Sequence, residues 1–505
     1  MDRFTKRLGC AALMAVLLIS LYGCQQTPTT QSVVNKNDGS FDSSVIESAS
    51  EIPAVDSTQT IAYTDKFAST DKSVMFTYNL NGQYTGVNNP VVEVVPHYLT
   101  ETDVKRVATA LLGDVDWFEP EPRFEPEYTK EQILEKINRW APYANVEAIS
   151  KLCAREPEYT ASLVDNVKRF IEKYSALYEA APSGSPKACE WTFKKESYGF
   201  YSAETLAGQD LSQENDAIYA VTNVGEVEYT FSAVTRNMGD FKLNNIYLHL
   251  GEGRSPSSID SMIYRAKFCR TEKPTDEDVA VVTAKAERIL DDMDLGQWQI
   301  DTAYIHTTYY GDTPEYIIIV SAVPVFNGTS AVRVPQIGNL KSMSVYASNY
   351  YMTDANFQFS VNGDLLDFSM FSPIDIKEIL NENVATKCID ELLELAKNHL
   401  MLSDYHEYGM STDYLDLMQE DAGEEFVCQV DICQMDYGML RVKVPSTDES
   451  YYYVPGIILS GTIDYIGKHT GNVYAASGET IWNDRIVPLI ALNAVDGSVI
   501  EIYIN

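Results

Sequence analysis

Thr100-Glu101-Thr102-Asp103-Val104-Lys105-Arg106-Val107 and Thr275-Asp276-Glu277-Asp278-Val279-Ala280-Val281-Val282 carry the same phrase, T-[DE]-x-D-V-x-x-V, at two places in one chain. In each, a threonine stands three residues before an aspartate. The threonine hydroxyl can accept from the third backbone N–H of a helix, and the aspartate can reach back to the threonine N–H. After the first phrase, Val104, Val107, Ala108, Leu111 and Leu112 fall at helical spacing and Gly113 closes the run. Both phrases continue toward a tryptophan (Trp117, Trp298) and, further on, toward a long helix and a β meander. The spacing predicts a diverged duplication, with one unit over residues 61–270 and a second over residues 271–505. Thr100 and Thr275 are then expected to play the same part.

Working outward, strands are expected at Val74 to Leu80 and Val91 to Val95, with Asn81-Gly82 turning out of the first. Thr129 and Gln132 open a second capped helix, with Ile133, Leu134, Ile137 and Trp140 on its apolar side. A third runs from Thr160 to Tyr178, and 181–186 breaks the pattern with Pro, Gly and Ser. From Trp191 to Leu250 the period becomes two, with turns near Asn223-Val224-Gly225 and Met238-Gly239-Asp240, as in an antiparallel meander.

The second half reads similarly. Strands are expected at Thr302 to Tyr310 and Tyr316 to Val325, and Asn362-Gly363 signals a hairpin between Phe357–Val361 and Leu365–Phe371. A helix from Thr386 to Leu402 buries Ile389, Leu392, Leu393 and Ala396. The tail returns to β at Phe426–Met435, Leu440–Val444, Tyr451–Ile466, Ile486–Leu492 and Ser498–Ile504, with Asp496-Gly497 turning the last pair. The expected class is α+β: two diverged units, each with helices packed on an antiparallel sheet.

A chain of 505 residues exceeds one ordinary core, so two or three domains are expected. The formal net charge of -35 repels nucleic acid, anionic headgroups and anionic wall polymers, so no nucleic-acid partner is expected. Solubility explains such a surface; a cationic partner or divalent ions would also suit it.

At the N-terminus, Arg3, Lys6 and Arg7 precede an uncharged, mostly apolar run from Leu8 to Leu21. The run has the length of a signal h-region rather than a membrane span. Leu21-Tyr22-Gly23-Cys24 follows and resembles a bacterial lipobox, with Tyr22 where that pattern carries a smaller residue. The resemblance implies a lipoprotein signal peptide over 1–23 and a diacylglyceryl anchor (palmitate or a similar acyl chain) on Cys24. Localisation would be the outer face of the cell membrane, with that lipid as the membrane contact. Removing residues 1–23 leaves 35 basic and 72 acidic side chains, a charge of -37. Residues 24–60 are mostly Gln, Thr, Ser, Asn and Asp and read as a disordered tether. Its coil would span roughly 30–35 Å.

Two further resemblances bear on role. Val487-Pro488-Leu489-Ile490-Ala491-Leu492-Asn493-Ala494-Val495-Asp496-Gly497-Ser498-Val499-Ile500 resembles the strand-turn-strand that ends PepSY-type domains and the YycH/YycI accessory proteins. The signal, the phrase from Val91 to Leu112 and the two-unit layout are similar to uncharacterised lipoproteins of low-GC Gram-positive bacteria. These resemblances imply an extracytoplasmic binding or regulatory role with a protein partner in the envelope, and they bring no catalytic residues.

Six cysteines remain after Cys24: Cys153, Cys189, Cys269, Cys388, Cys428 and Cys433. Cys428 and Cys433 could pair if a turn intervened; single buried thiols fit most of the six better. His97, His249, His306, His399, His406 and His469 show no metal-ligand spacing and read as structural. There is no G-x-S-x-G, P-loop or G-x-G-x-x-G. The acidic clusters Asp291-Asp292-Met293-Asp294, Glu420-Asp421 and Glu424-Glu425 lack the glycine and terminal glutamate of a calcium loop, and read as solvated. The sequence therefore singles out no catalytic, cofactor-binding or metal residue. The expectation is a non-enzymatic binding or regulatory accessory of the cell envelope. The alternative is an envelope hydrolase acting on glycan or peptide through paired carboxylates, which one sequence leaves open; the 33 tyrosines could line a glycan groove but read mainly as sheet residues.

Overall fold

Both threonine phrases start helices, and both capping boxes form. Thr100 Oγ1 accepts from Asp103 N at 3.2 Å, and Asp103 Oδ2 accepts from Thr100 N at 2.9 Å. Thr275 Oγ1 accepts from Asp278 N at 3.2 Å, and Asp278 Oδ2 accepts from Thr275 N at 2.8 Å. The computed structural model describes residues 58–85, 89–119, 129–152, 157–185, 187–196, 215–225, 227–237, 242–250, 268, 272–310, 313–333, 353–402, 419–420, 422–443, 450–476 and 486–500. The signal segment, Cys24, the tether up to residue 57, Cys153, Cys269 and His406 lie outside the described residues.

In chain order the elements are β1 (Thr58–Ala68), β2 (Val74–Thr85), β3 (Val91–Pro96) and α1 (Glu101–Leu112). Then come α2 (Lys130–Trp140), α3 (Val146–Leu152), α4 (Pro157–Ala180), β4 (Lys194–Glu196), β5 (Asn215–Val224), β6 (Val227–Asn237) and β7 (Lys242–Leu250). They are followed by α5 (Asp276–Met293), β8 (Trp298–Tyr310), β9 (Thr313–Phe326), β10 (Thr329–Ser330), β11 (Asp354–Phe359), β12 (Leu365–Phe371) and β13 (Ile374–Asn381). The chain closes with α6 (Ile389–Leu400), β14 (Phe426–Lys443), β15 (Tyr451–Gly467), β16 (Val473–Ala476), β17 (Val487–Asn493) and β18 (Val499–Ile500).

Among the described residues the fold is mixed α and β, with two nine-stranded, antiparallel-rich sheets. The first runs β1-β2-β14-β15-β17-β18, with β3 and β16 also on β15 and β13 on β3. Its β2–β14 pair is parallel. The second runs β10-β9-β11-β12-β7-β6-β5-β4, with β8 on β9. Residue 270 does not separate the sheets. β14 lies beside β2, β15 beside β3, and β12 beside β7. A strand edge is a row of unpaired backbone groups, and β7 and β12 cover each other's.

Val104, Val107 and Leu111 of α1 share one buried cluster with Val282, Ile289 and Met293 of α5 and with Phe231, Leu248, Phe357 and Phe368 of the second sheet. Each such side chain contributes roughly 1.5–3 kcal/mol when taken from water. Leu392, Leu393 and Ala396 of α6 bury against Phe76, Val430 and Ile457 of the first sheet. Helices α2 and α4 make a smaller cluster around Ile133, Trp140, Val167 and Tyr174. Leu134, expected on the apolar side of α2, is exposed, because the buried stripe of α2 passes through Ile133, Lys136 and Trp140 instead.

The strand reading needs four corrections. Asn81-Gly82 does not turn out of β2, which runs on to Thr85 with both residues paired to β1. The tail segments 426–435 and 440–444 are one strand, β14, whose residues find partners along β15 on both sides of Gly438. β1 begins at Thr58, inside the stretch expected to be tether, because it closes a hairpin with β2. Asp71 holds that turn by accepting from Ser69 Oγ, Ser73 Oγ and Ser73 N, and these bonds draw its carboxyl down to about 2. β13 went unrecognised because Asp375, Lys377 and Glu378 break the apolar alternation; it is exposed from Asp375 to Ile379 and pairs with β3 alone.

Candidate functional site

Side chains alternate across a strand, so the residues beside those facing α1 and α5 line the other face of the second sheet. Register places Tyr219 opposite Ser232, Ser232 opposite Tyr247, Tyr247 opposite Ser369, and Ser369 opposite Asn356. One row on, Thr230, His249, Asp367 and Gln358 face each other in turn. His249 Nδ1 and Asp367 Oδ2 are 2.5 Å apart across the β7–β12 seam, both about one-third exposed. Tyr247 stacks on the His249 ring at 5.7 Å, and Phe371 meets Tyr247 edge-on at 5.7 Å. This face is polar and aromatic where the opposite one is apolar.

At one end of this face the two sheets meet. Ala331 bridges to Met439 in parallel, and Val332 N donates to Met439 O at 3.0 Å. The approach requires Gly438: a Cβ there would lie 2.6 Å from Ser330 O and 2.9 Å from Val332 Cγ2. The crossing delivers Arg333 to the joint. Its Nη2 donates to Asn356 Oδ1 at 3.1 Å, which also accepts from Ser321 Oγ at 2.7 Å. Its Nε is 3.6 Å from Asp354 Oδ2.

Asp354 is 2% exposed, with the Arg333 guanidinium and the Asn356 side chain beside its carboxyl. Burial pushes its carboxyl up, and the Arg333 charge with hydrogen bonds from the Asn356 and Arg333 side chains only partly offsets this. Asp301 comes from a bulge in β8, where pairing passes from Ile300 opposite Ala322 to Thr302 opposite Ser321. Such a bulge re-aims one side chain. Lost hydration, opposed by Arg333 and reinforced by the Asp436 charge, raises the Asp301 carboxyl. Asp436 accepts from Gln434 Nε2 at 2.8 Å, and burial raises its carboxyl too.

The residues noted in the sequence have mainly structural places. His97 stands 2.9 Å from Asp375 and 3.5 Å from Asp103, tying the start of α1 to β13. Glu424 accepts from His469 N and Thr470 N, and Glu425 pairs with Lys468 at 2.6 Å. Asp294 caps α5 with a left-handed φ of 52° and pairs with Arg106 at 3.3 Å. Cys428 and Cys433 lie in one strand with no turn between them, and both thiols are free. Among the described residues no three His, Cys, Asp or Glu side chains are arranged to hold a metal ion.

An open groove of about 400 Å³ lies between α1 and α5, lined by Thr102, Lys105, Arg106, Thr109, Ala110 and Asp292. Arg106 acts there as a clip, donating to Met293 O at 2.8 Å and to Asp103 Oδ1 at 2.7 Å. The groove is thus a helix–helix seam, away from the polar face.

Sequence reasoning missed Asp301, Arg333, Asp354 and Asp436. The three aspartates carry one local signal, an acidic residue inside a strand, where that type is depleted; Arg333 carries none, and nothing in the sequence brings the four together.

No family model matches this chain, and no curated protein matches it. The crystal structure of an uncharacterized protein from Eubacterium rectale is similar at 10% identity and a TM-score of 0.34, covering 92% of this chain and 99% of that one. A likeness that distant carries no argument about fold or function.

Proposed function

We propose that this chain is a lipid-anchored, extracytoplasmic binding or regulatory accessory protein of the cell envelope. The observation that carries the binding reading is the broad polar and aromatic face of the second sheet, with the His249–Asp367 pair and Tyr247 at its centre. Half-buried aromatic and hydroxyl side chains on a rigid sheet suit recognition of a partner surface. The anchor rests on the basic Arg3, Lys6 and Arg7, the apolar run and Cys24. Two experiments test this. Cys24→Ser should release the protein from membranes, and retention without lipid on the N-terminal peptide overturns the anchor. Crosslinking in intact envelope should capture a protein that Tyr247→Ala with Phe371→Ala loses; undiminished capture overturns the role of the face.

We also propose that the second sheet records the duplication. α1 with β5, β6 and β7, and α5 with β9, β11 and β12, would be the diverged copies, joined where β7 meets β12. Two helices with the same capping box in one cluster support this. A second functional reading, the envelope hydrolase, draws on the raised carboxyls of Asp301 and Asp436. It demands fragment release from purified cell wall that Asp301→Asn abolishes.

A further inference from the structure

We propose that the outer edge of β8 is a strand-addition site, where an extended segment of a basic polypeptide partner pairs backbone to backbone. The inference deepens the binding reading and rests on it, naming the partner's form and charge.

Among the described residues β8 pairs with β9 and with no other strand, so it borders the second sheet. Past its bulge, Thr302 opposite Ser321 to Tyr310 opposite Thr313 make nine register pairs without a break. At about 3.3 Å per residue this is roughly 30 Å of border, along which alternate residues turn N–H and C=O groups outward. The run from Thr302 to Tyr310 holds no proline, glycine, lysine, arginine or carboxylate, and is mostly β-branched and aromatic. Such an edge is a template for another chain, and proteins blunt it with charge, proline, bulges or shortness. Other borders of the two sheets carry those guards. β13 has Asp375, Lys377 and Glu378 and two register breaks. β1 has Asp65 and Lys66. β17 has Pro488 and is partly covered by β18. β4 and β16 are three and four residues long.

The core is also left open at β8. Ala322, Val320 and Ile318 of β9 are fully buried, whereas Ile300, Ala303 and Ile305 opposite them are only half-buried. An added strand with apolar residues at every second position would finish burying that row. On the other side Thr302 and Tyr304 are exposed, and they continue the Asn356–Ser321 and Gln358–Ile319 rows of the polar face. The backbone ladder thus calls for an extended polypeptide, and charge decides which one. β8 holds one carboxylate, Asp301, and no lysine or arginine, in a chain of net charge -35. A second copy is repelled, and a strand with lysine or arginine on its solvent side is attracted.

The test is calorimetric titration of the purified protein at low salt with the peptide amide Lys-Val-Lys-Val-Lys-Val-Lys-Val-Lys and with an isomer whose lysines and valines stand in separate blocks. Wild type should bind the alternating peptide at least tenfold more tightly than the block isomer. N-methylating one alternate set of peptide amides should abolish binding and N-methylating the other should leave it, because a ladder uses one side of the added strand. Ile305→Lys should weaken binding at least tenfold, and Ile376→Lys on β13 should not; the N-methylated pair decides the matter should Ile305→Lys fail to fold. No binding by wild type, equal binding of the two isomers, the same result from both N-methylations, or undiminished binding by folded Ile305→Lys each overturns the proposal. A dimer in sedimentation that Ile305→Lys dissociates overturns it in favour of a second copy. If the peptide arms fail while Tyr247→Ala with Phe371→Ala still loses the crosslinked envelope protein, strand addition falls and the binding reading stands; if that capture is also undiminished, both fall.

Discussion

Thr100→Ala and Thr275→Ala make a controlled pair, because the two capping boxes share their geometry and differ in burial. At Thr275 the partner Asp278 is open to solvent, so water can replace the lost hydroxyl, and the expected cost is about 1 kcal/mol or less. At Thr100 the hydroxyl donates to Asp103 Oδ2 at 2.6 Å, and Asp103 is 9% exposed. Losing that bond to a buried carboxylate adds about 1 kcal/mol to the cap, so Thr100→Ala should cost about 2 kcal/mol. The difference is roughly a fivefold gap in folding equilibrium constant, given 1.4 kcal/mol per tenfold. The assay is urea denaturation followed by tryptophan fluorescence, since Trp117 and Trp298 both pack in the cluster that holds α1 and α5. Thr100→Ser should recover most of the loss. Burial raises the Asp103 carboxyl, but its bonds from Thr100 and the charges of His97 and Arg106 outweigh this and hold it below its ordinary value. That stabilisation is present above the ordinary aspartate range and fades as pH falls through the depressed value, so the gap should narrow in acid. A Thr275→Ala cost equal to or above that of Thr100→Ala would refute the burial argument.

Asp436 runs the opposite way: its carboxyl is raised in the fold, so ionisation opposes folding as pH climbs from 3.8 through the raised value. Asp436→Asn should therefore raise the urea midpoint at neutral pH and give no gain below pH 3.8; a gain that is the same at every pH would contradict this. Gly438→Ala forces a Cβ against Ser330 O and should cost about 1–3 kcal/mol or more, again read by denaturation, with an unchanged midpoint counting against the close crossing. Under native conditions a maleimide should label the exposed Cys388 well before Cys428, which is buried and whose thiol is pushed up to about 12; equal rates by peptide mapping would show that β14 opens readily.

What the sequence determined by itself was local. The capped starts at Thr100, Thr129 and Thr275, the helix over 389–400, and the hairpin turns at Gly363 and Gly497 were legible because each depends on neighbours a few residues away. Period-two runs marked most strands for the same reason. Strand partners were not legible. A β edge can be met by any segment of matching length, and only the competition of all edges paired β2 with β14 and β7 with β12 across residue 270. Nor was the charged joint, whose members come from β8, the chain after β10, the start of β11, and β14. The β8 bulge that singles out Asp301 and the Gly438-permitted crossing that carries Arg333 to Asp354 both join segments far apart in the chain, so no local pattern marks them.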